Sequence, residues 1–582
     1  MLLAACAIAA CGGGSSTGPA AASVHVPAIA ADASVAFTLT PTAIKSFHFT
    51  WNDMQDETGY RLLEDPDGAS GYSPIADLPA DTTQYDHEVF LPDRVNARYR
   101  LQVCKNLDCV DVATVGASGN LVPAIGYVKA SDPADGDLFG ASVSLSANGR
   151  YLAVGAPGYE ASNGNSGSVY VFTRHGATWQ QQALLEASTP QPGDGFGTHL
   201  ALSAEGDTLA VGAPGEGNPL SVGGTVYVFT RGGDSWRLSQ GVNALAPDLG
   251  DKFGAQVALS GDGNTLAVGA PSESGDANTI NGLDNNNLRG SGAAYVFTRA
   301  GDVWTQKAYV KAFNADAFDN FGRTLALSAD GQTLAVGAIN ESSAAKGIGG
   351  DQHDNTAYAS GAVYVFGRHQ DTWSQQAYAK ASNTRENAWF GGAIALSADG
   401  QVMAVGSRFE SSSATGIDGD QDDTTADRSG AVYVFARQGT QWSQTSYIKA
   451  SNTAERDFFG YSVALSDDGN TLAVGALSED SDARGLQGEQ GNDDASSSGA
   501  AYLFRHTATG WQQQAYIKPS NTDNGGVYEF GFALALSGRA GGTADQGLTL
   551  AVGCRSASNA SSGVGGDQSN ASGSDVGAVY LY

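Results

Sequence analysis

Positive charge is scarce in this chain: 31 lysines and arginines stand against 61 aspartates and glutamates over 582 residues, a formal charge of −30. A surface of that sign repels phosphate backbones and argues against nucleic acid as a partner. It leaves divalent cations and cationic surfaces open, beside the plainer reading of a well-solvated exterior. Long apolar runs are also missing, and no stretch approaches the roughly 18 residues that a membrane-spanning helix needs. Charged residues make up only 16% while glycine reaches 77, a profile of many short strands joined by turns rather than of helices. Catalytic signatures are lacking too. The eight histidines (His25, His48, His87, His175, His199, His353, His369, His506) do not recur at one position, and no nucleophile-elbow, zinc-binding or phosphate-loop pattern occurs.

Cysteine is sparse, and its placement is informative. The chain begins "MLLAACAIAACGGGSSTG". The run of small apolar residues ending in "IAAC" resembles a bacterial lipoprotein signal, which implies cleavage before Cys11, acylation of that cysteine and a flexible Gly/Ser tether over 1–22. "LAAC" at Cys6 competes as the acylation point, and an ordinary cleaved secretory signal is the alternative. The leader has no Lys or Arg, and a true start upstream of Met1 would account for that. In "YRLQVCKNLDCVDVATV", Cys104 and Cys109 flank a short turn between two alternating strands. Directly opposed hairpin positions come close enough for a disulfide, which suits an exported protein; two thiols are the other reading. Cys554 takes a place where sister segments carry Ala or Ser, which fits a small core residue.

Residues 23–118 hold short alternating segments such as "SFHFTW", "GYRLLED" and "ARYRLQVC". Strands this short between turn residues predict an antiparallel β-sandwich. The order of Trp51, Tyr60, Leu91 and Tyr99 resembles a fibronectin type III domain, which implies a core tryptophan on the second strand and a tyrosine near the sixth. Such a module implies a spacer or docking piece, without chemistry of its own.

From Leu121 onward the chain repeats, and repeats decide a fold before local propensity does. The pair Phe-Gly recurs at Phe139, Phe196, Phe253, Phe321, Phe390, Phe459 and Phe530, at spacings of 57, 57, 68, 69, 69 and 71 residues. Each pair leads into an alternating strand, an Asp-Gly or similar turn, an apolar strand "TLAVGA", a loop, "GAVYVF", and a fourth strand. Six of the fourth strands begin at a tryptophan (Trp179, Trp236, Trp304, Trp373, Trp442, Trp511). Asp-Gly between strands is a strong hairpin signal, and an all-apolar strand is one covered on both faces. A four-stranded sheet cannot bury both faces alone, so the units must stack. Unit seven ends at "GAVYLY" without a fourth strand, while "LVPAIGYVKAS" (121–131) before unit one matches that strand. The predicted fold is therefore all-β: a seven-bladed β-propeller over 121–582, closed by strand 121–131 on the last blade and preceded by the small sandwich.

The "FG…TLAVGAP…GAVYVF" units resemble the FG-GAP repeats of integrin α-subunit propellers and their bacterial relatives. "GAP" itself survives only at Pro157, Pro214 and Pro271. The family carries calcium on the first hairpins, but turns such as "SADGQ" offer too few acids for a cage of six to eight oxygens. The resemblance implies instead a recognition face on the rim of the second turns. Those turns are short in units one and two and about twice as long in units three to seven, where "GIGGDQHDN", "GIDGDQDDT", "GLQGEQGND" and "GVGGDQSNA" recur. Asp351, Asp354 and Asn355, or Asp418, Asp420, Asp422 and Asp423, are candidate calcium ligands; the bland reading is that Gly and Asx residues close the loop on itself. Removing one insert, Ile339 to Ser360, is expected to leave the fold intact.

The function expected from these features is recognition or adhesion without catalysis: a monomeric, lipid-anchored or secreted protein at a bacterial outer membrane or cell surface, binding a protein or glycan. A structural hub in an envelope assembly is the second reading. An extracellular hydrolase or lyase with a site in the propeller's central mouth is the third.

Overall fold

The computed structural model describes residues 35–106, 108–117, 119–158, 164–176, 178–216, 223–522, 529–538, 548–569 and 572–582. Cys11 and the rest of the expected leader and tether lie outside them. The alternating N-terminal segments form seven strands in two sheets. One has the order Thr38–Thr42, Ser46–Thr50, Gln84–Glu88; the other Ser73–Pro79, Gly59–Asp65, Arg98–Lys105, Asp108–Gly116. Apolar side chains from both sheets share one core. Trp51 follows the second strand, is buried, and packs on Tyr60 at 5.6 Å between ring centres. Tyr99, on the sixth strand, donates to the buried Glu64 carboxylate at 2.7 Å. Arg94 reaches the same carboxylate at 2.8 and 3.1 Å and His87 lies 3.3 Å away. Burial alone would raise the Glu64 pKa; those partners hold it down to about 2. Cys104 and Cys109 are direct cross-strand partners and form a disulfide. Lys105 also pairs with Asp108, so the strands run one residue further into the turn than the sequence suggests.

Each Phe-Gly unit becomes one four-stranded antiparallel sheet. Unit four shows the plan: Phe321–Leu327, Thr333–Ala338, Ala362–His369 and Thr372–Ala379 lie side by side in sequence order. The second strand is fully buried, as its apolar run requires. In the first turn the Asp330 carboxylate accepts from Ser328 Oγ at 2.5 Å and from Gln332 N at 2.9 Å, which spends the acid on the turn itself. The seventh sheet contains Ala533–Leu536, Leu550–Cys554 and Ala578–Leu581, and its fourth strand is Gly126–Val128. Tyr127 faces Tyr580 in that pairing. This strand lacks the recurring tryptophan because the matching position, Val122, falls in a 3-10 turn, Val122–Ala124, through which the chain arrives from the sandwich.

The Phe-Gly pair joins neighbouring sheets. Phe321 N donates to Ser291 O of the preceding unit at 3.0 Å, and Phe139 N donates likewise to Val576 O of the seventh unit at 3.1 Å. Each phenylalanine ring then packs inward; Phe321 lies 5.4 Å from Tyr364 and 6.1 Å from Phe366. The glycine has a positive φ (+86° at Gly322), and a Cβ there would meet Ala293 O at 2.2 Å. The glycine of "AVGA" faces the Phe-Gly glycine of the next unit as closely. A Cβ on Gly155 would meet Gly197 O at 2.1 Å, and one on Gly553 would meet Gly140 O at 2.2 Å. First strands of successive sheets are in contact throughout, and the first strand of the seventh sheet touches that of the first.

The N-terminal module is fixed to these sheets on the side of the first and third turns. Lys45 donates to Leu548 O and, at 2.7 Å, to Thr549 Oγ1, at the start of the seventh sheet's second strand. Asp93 pairs with Arg505, and Glu88 with Arg174, both near the ends of third strands.

Val128 and Val579 are direct partners across the closing pair. Replacing both by cysteine should give a disulfide in the full-length protein under mild oxidation, seen as a faster band on a non-reducing gel. Two unreacted thiols would show that this strand lies elsewhere.

Candidate functional site

The long second turns of units three to seven are folded. In unit four Ile348 makes a bridge to Ala379 on the outer strand, while Gly349 N donates to Tyr378 O at 2.9 Å and Lys380 N to Gly347 O at 2.8 Å. Ile417 on Ile448, Leu486 on Ile517 and Val564 on Val128 repeat the arrangement. In units four to seven this part of the insert thus pairs with the end of its own sheet's outer strand, where unpaired backbone groups would otherwise be open to another chain. The following Asp-Gln or Glu-Gln part docks on the preceding unit. The Asn314 amide donates to Gln352 O at 2.6 Å, Asn383 to Gln421 O at 3.0 Å, Asn452 to Gln490 O at 3.1 Å and Asn521 to Gln568 O at 3.3 Å.

Beneath the inserts runs a buried polar ladder. The lysine after the outer strand of units three to six reaches a glutamate and a serine at the two roots of the insert: Lys311 with Glu273 and Ser291, Lys380 with Glu341 and Ser360, Lys449 with Glu410 and Ser429, Lys518 with Glu479 and Ser498, all at 2.6–2.9 Å. Burial lowers each lysine's pKa, and the glutamate pulls it back. Asn314, Asn383 and Asn452 carry the ladder across to the glutamate of the next unit at 3.3, 3.1 and 2.9 Å. The two ends of the array break the pattern. Lys129 has Ala557 in the glutamate's place, and burial brings its pKa down to about 7; Glu216 has Asn243 in the lysine's place. The expectation that Ile339 to Ser360 is dispensable is therefore corrected: its removal would strip Lys380 of both Glu341 and Ser360.

The candidate calcium ligands are occupied by the loops' own backbone. Asp351 accepts from His353 N at 2.9 Å, and Asp354 from Ala344 N and Thr356 N, both at 3.0 Å. Asn355 donates to Asp316 of the preceding unit at 2.7 Å. Asp418 accepts from Tyr447 N at 2.8 Å, Asp420 from Asp422 N at 2.9 Å, and Asp423 from Ser413 N at 2.8 Å and Thr425 N at 3.1 Å. Asp422 is exposed. Asp418, Asp420, Asp422 and Asp423 bring no three carboxylates within 4.8 Å of one another. Among the described residues, one group of three acids has oxygens within 4.8 Å of one another, Asp53, Glu57 and Asp81 in the sandwich. Two of those already serve neighbours, Tyr60 Oη and Asp81 N, both at 3.0 Å.

At the centre of the insert-bearing rim, a cavity of about 400 Å³ is lined by the first strands of all seven sheets. Its wall is lopsided. Units one to three contribute small or polar residues such as Ala141, Thr198 and Gln256, while units four to seven contribute Arg323, Arg408, Tyr461 and Phe532. The Arg408 guanidinium lies over Trp389, Phe409 and Tyr461 at 4.7, 5.2 and 4.9 Å. Phe458 extends the aromatic group at 5.6 Å from Phe409, and Phe532 lies 5.2 Å from Tyr461. Arg555 covers Phe532 at 4.0 Å while paired with Glu529 at 2.6 Å. His199 is half-buried in the wall, and its desolvation brings its pKa down to about 4. The sequence reading missed this group. The available signal was the loss of "GAP": Arg408 and Arg555 stand where units one to three have proline.

The FG-GAP repeat family matches residues 127–172, 179–229, 244–297, 373–435 and 442–504. FG-GAP repeats are present in this chain. No curated protein matches its sequence. Among solved structures, the β-propeller domain of the Trilobed protease from Pyrococcus furiosus is similar at 8% identity and a TM-score of 0.33, over 71% of this chain and 89% of that one. The Pyrococcus horikoshii acylaminoacyl peptidase matches at 9% identity and 0.34, over 74% of this chain and 50% of that one. Trypanosoma rangeli sialidase matches at 12% and 0.31, over 68% and 59%.

Breaking one rung of the ladder tests its energetics. Lys449→Met or Glu410→Gln alone should destabilise by about 3–5 kcal/mol, because each strands a buried group, and the double variant should cost far less than the sum. Denaturant midpoints give both numbers. A second test uses Asp457, whose carboxyl burial raises to about 8, with Glu479 adding to the shift. The folded state then holds a proton that the unfolded chain has released, so this stability is full below pH 4 and lost as pH rises to 8. Asp457→Asn should flatten the fall in melting temperature between pH 5 and 8.5 relative to the wild type; parallel curves would remove the assignment.

Proposed function

We propose that this chain is an exported, non-catalytic recognition protein. Its seven FG-GAP-type sheets act as the blades of a closed seven-bladed β-propeller, and a protein or glycan partner meets the rim formed by the long inserts. The observation that carries this reading is the division of labour between the two rims. The sandwich is fixed to the rim of first and third turns, while the inserts are braced against one another on the opposite rim with their tips outward. His353, Tyr358, Asp422 and Thr424 are exposed there, Tyr358 by 67%. Rigid, mutually supported loops lose little freedom when a partner binds, which favours affinity.

The strand order of the N-terminal module and its buried Trp51 and Tyr99 support a fibronectin type III-like spacer. The disulfide between Cys104 and Cys109 fits export, and with it a lipid anchor at Cys11 or release to the outside. A monomer is the simplest assembly, because the long inserts of units four to seven pair with the outer strands of their own sheets.

The reading is tested at the tips rather than by deleting whole inserts. A variant with His353, Tyr358, Asp422 and Thr424 changed to Ser keeps every root contact and should melt like the wild type. On arrays of glycans and surface proteins it should lose binding that the wild-type protein shows. Equal binding by both proteins would remove the rim from the function.

A further inference from the structure

Of the other arginines on this rim, Arg555 pairs with Glu529, Arg428 and Arg456 approach Asp427, and Arg385 donates to the backbone carbonyls of Gln421 and Asp422. Arg323 and Arg408 differ. Neither makes an ion pair with a carboxylate among the described residues, although the chain has twice as many acids as bases. They lie close enough that Arg323 depresses the Arg408 pKa, which burial already lowers. The Arg408 Nε is buried without a hydrogen-bond partner. Both side chains line the central cavity, and no Asp or Glu lines it. Two like charges facing one cavity with no counter-charge cost free energy, and an arriving anion would recover it.

The walls narrow the class of anion. Guanidinium groups present paired N–H donors that match the two oxygens of a carboxylate. Half-buried Tyr461 and Phe532, each with an arginine over one face, leave apolar ring surface on the cavity wall for the C–H side of a sugar ring, and Thr198 and Gln256 offer polar atoms to its hydroxyls. A volume of about 400 Å³ lies in the range of small-ligand sites and suits one or two rings. The surrounding rim carries Asp316, Asp351, Glu386, Asp420, Asp422 and Glu455, all charged like a polyanion. That field disfavours a long acidic chain and favours a single carboxylate presented at a terminus.

We infer that the channel mouth is a binding site for the carboxylate of a terminal acidic sugar, held by Arg323 and Arg408 and stacked on the Tyr461 and Phe532 side. This deepens the proposed recognition role by assigning a ligand class to the centre of the same rim. The two remain separable, because none of these residues belongs to the insert tips.

The full-length protein is titrated with sodium D-glucuronate, and with D-glucose as the counterpart lacking the carboxylate, by saturation-transfer NMR. Glucuronate should bind saturably and glucose should not. Arg323→Gln, at an exposed side chain that the fold does not use, should weaken glucuronate binding by about tenfold or more. Arg408→Gln should do the same, its melting curve showing whether the mouth stays folded. The insert-tip variant should bind glucuronate like the wild type, so a failure of the tips leaves this site standing and the reverse also holds. Equal response to both sugars, no saturable response to glucuronate, or undiminished binding in Arg323→Gln would each overturn the assignment.

Discussion

Glycine against glycine between neighbouring sheets is the contact on which this structure depends. At Gly155–Gly197, Gly212–Gly254 and on around to Gly553–Gly140, one backbone lies where any side chain would have to be. The close approach brings the Phe-Gly amide within reach of the previous unit's carbonyl and sets the phenylalanine between that unit and its own tyrosine. A methyl group at one such point would force two sheets apart and open the polar ladder and the insert docking built across the same seam. The small residues of "AVGA" are thus a spacing device. Specificity between sheets comes from the aromatic and polar groups that the spacing admits.

Much of this was legible because the chain is its own comparison. Seven copies separate what recurs from what varies, and recurrence at Phe139 through Phe530 gave the number of sheets. The stray strand near Tyr127 was legible because it matched a pattern that the last copy lacked. For the disulfide, the expected register set Cys104 opposite Cys109 and left either a bridge or two thiols; the structure has the bridge.

What could not be read depends on contacts between units. The lysine after the outer strand of units three to six is visible as a repeat, but its partners sit roughly 40 and 20 residues away at the two roots of a loop, so the inserts looked detachable. The acids of "GDQHDN" and "GDQDDT" suggested metal chelation because counting carboxylates does not show where they point; most of them accept backbone amides from their own loop. The mouth was hidden more deeply. Arg323, Tyr461 and Phe532 share one repeat position, the residue after the Phe-Gly pair, where the other units carry Ala141, Thr198, Ala255 and Gly392; Arg408 comes from the end of a second strand, and the four meet only because the first strands of successive sheets lie side by side.

The docking of the sandwich by Lys45, Glu88 and Asp93 has a consequence for orientation. It seats the N-terminal module behind the ring, so an attachment made through that end holds the disc by its back. The arginine-lined opening and the braced loops would then look away from any surface to which that end were attached, like a dish on a mast. Aim is thus set by two ion pairs, the Lys45 hydrogen bonds and a shared apolar core, all far from the arginine-lined opening, and loosening them would turn the dish without changing that opening.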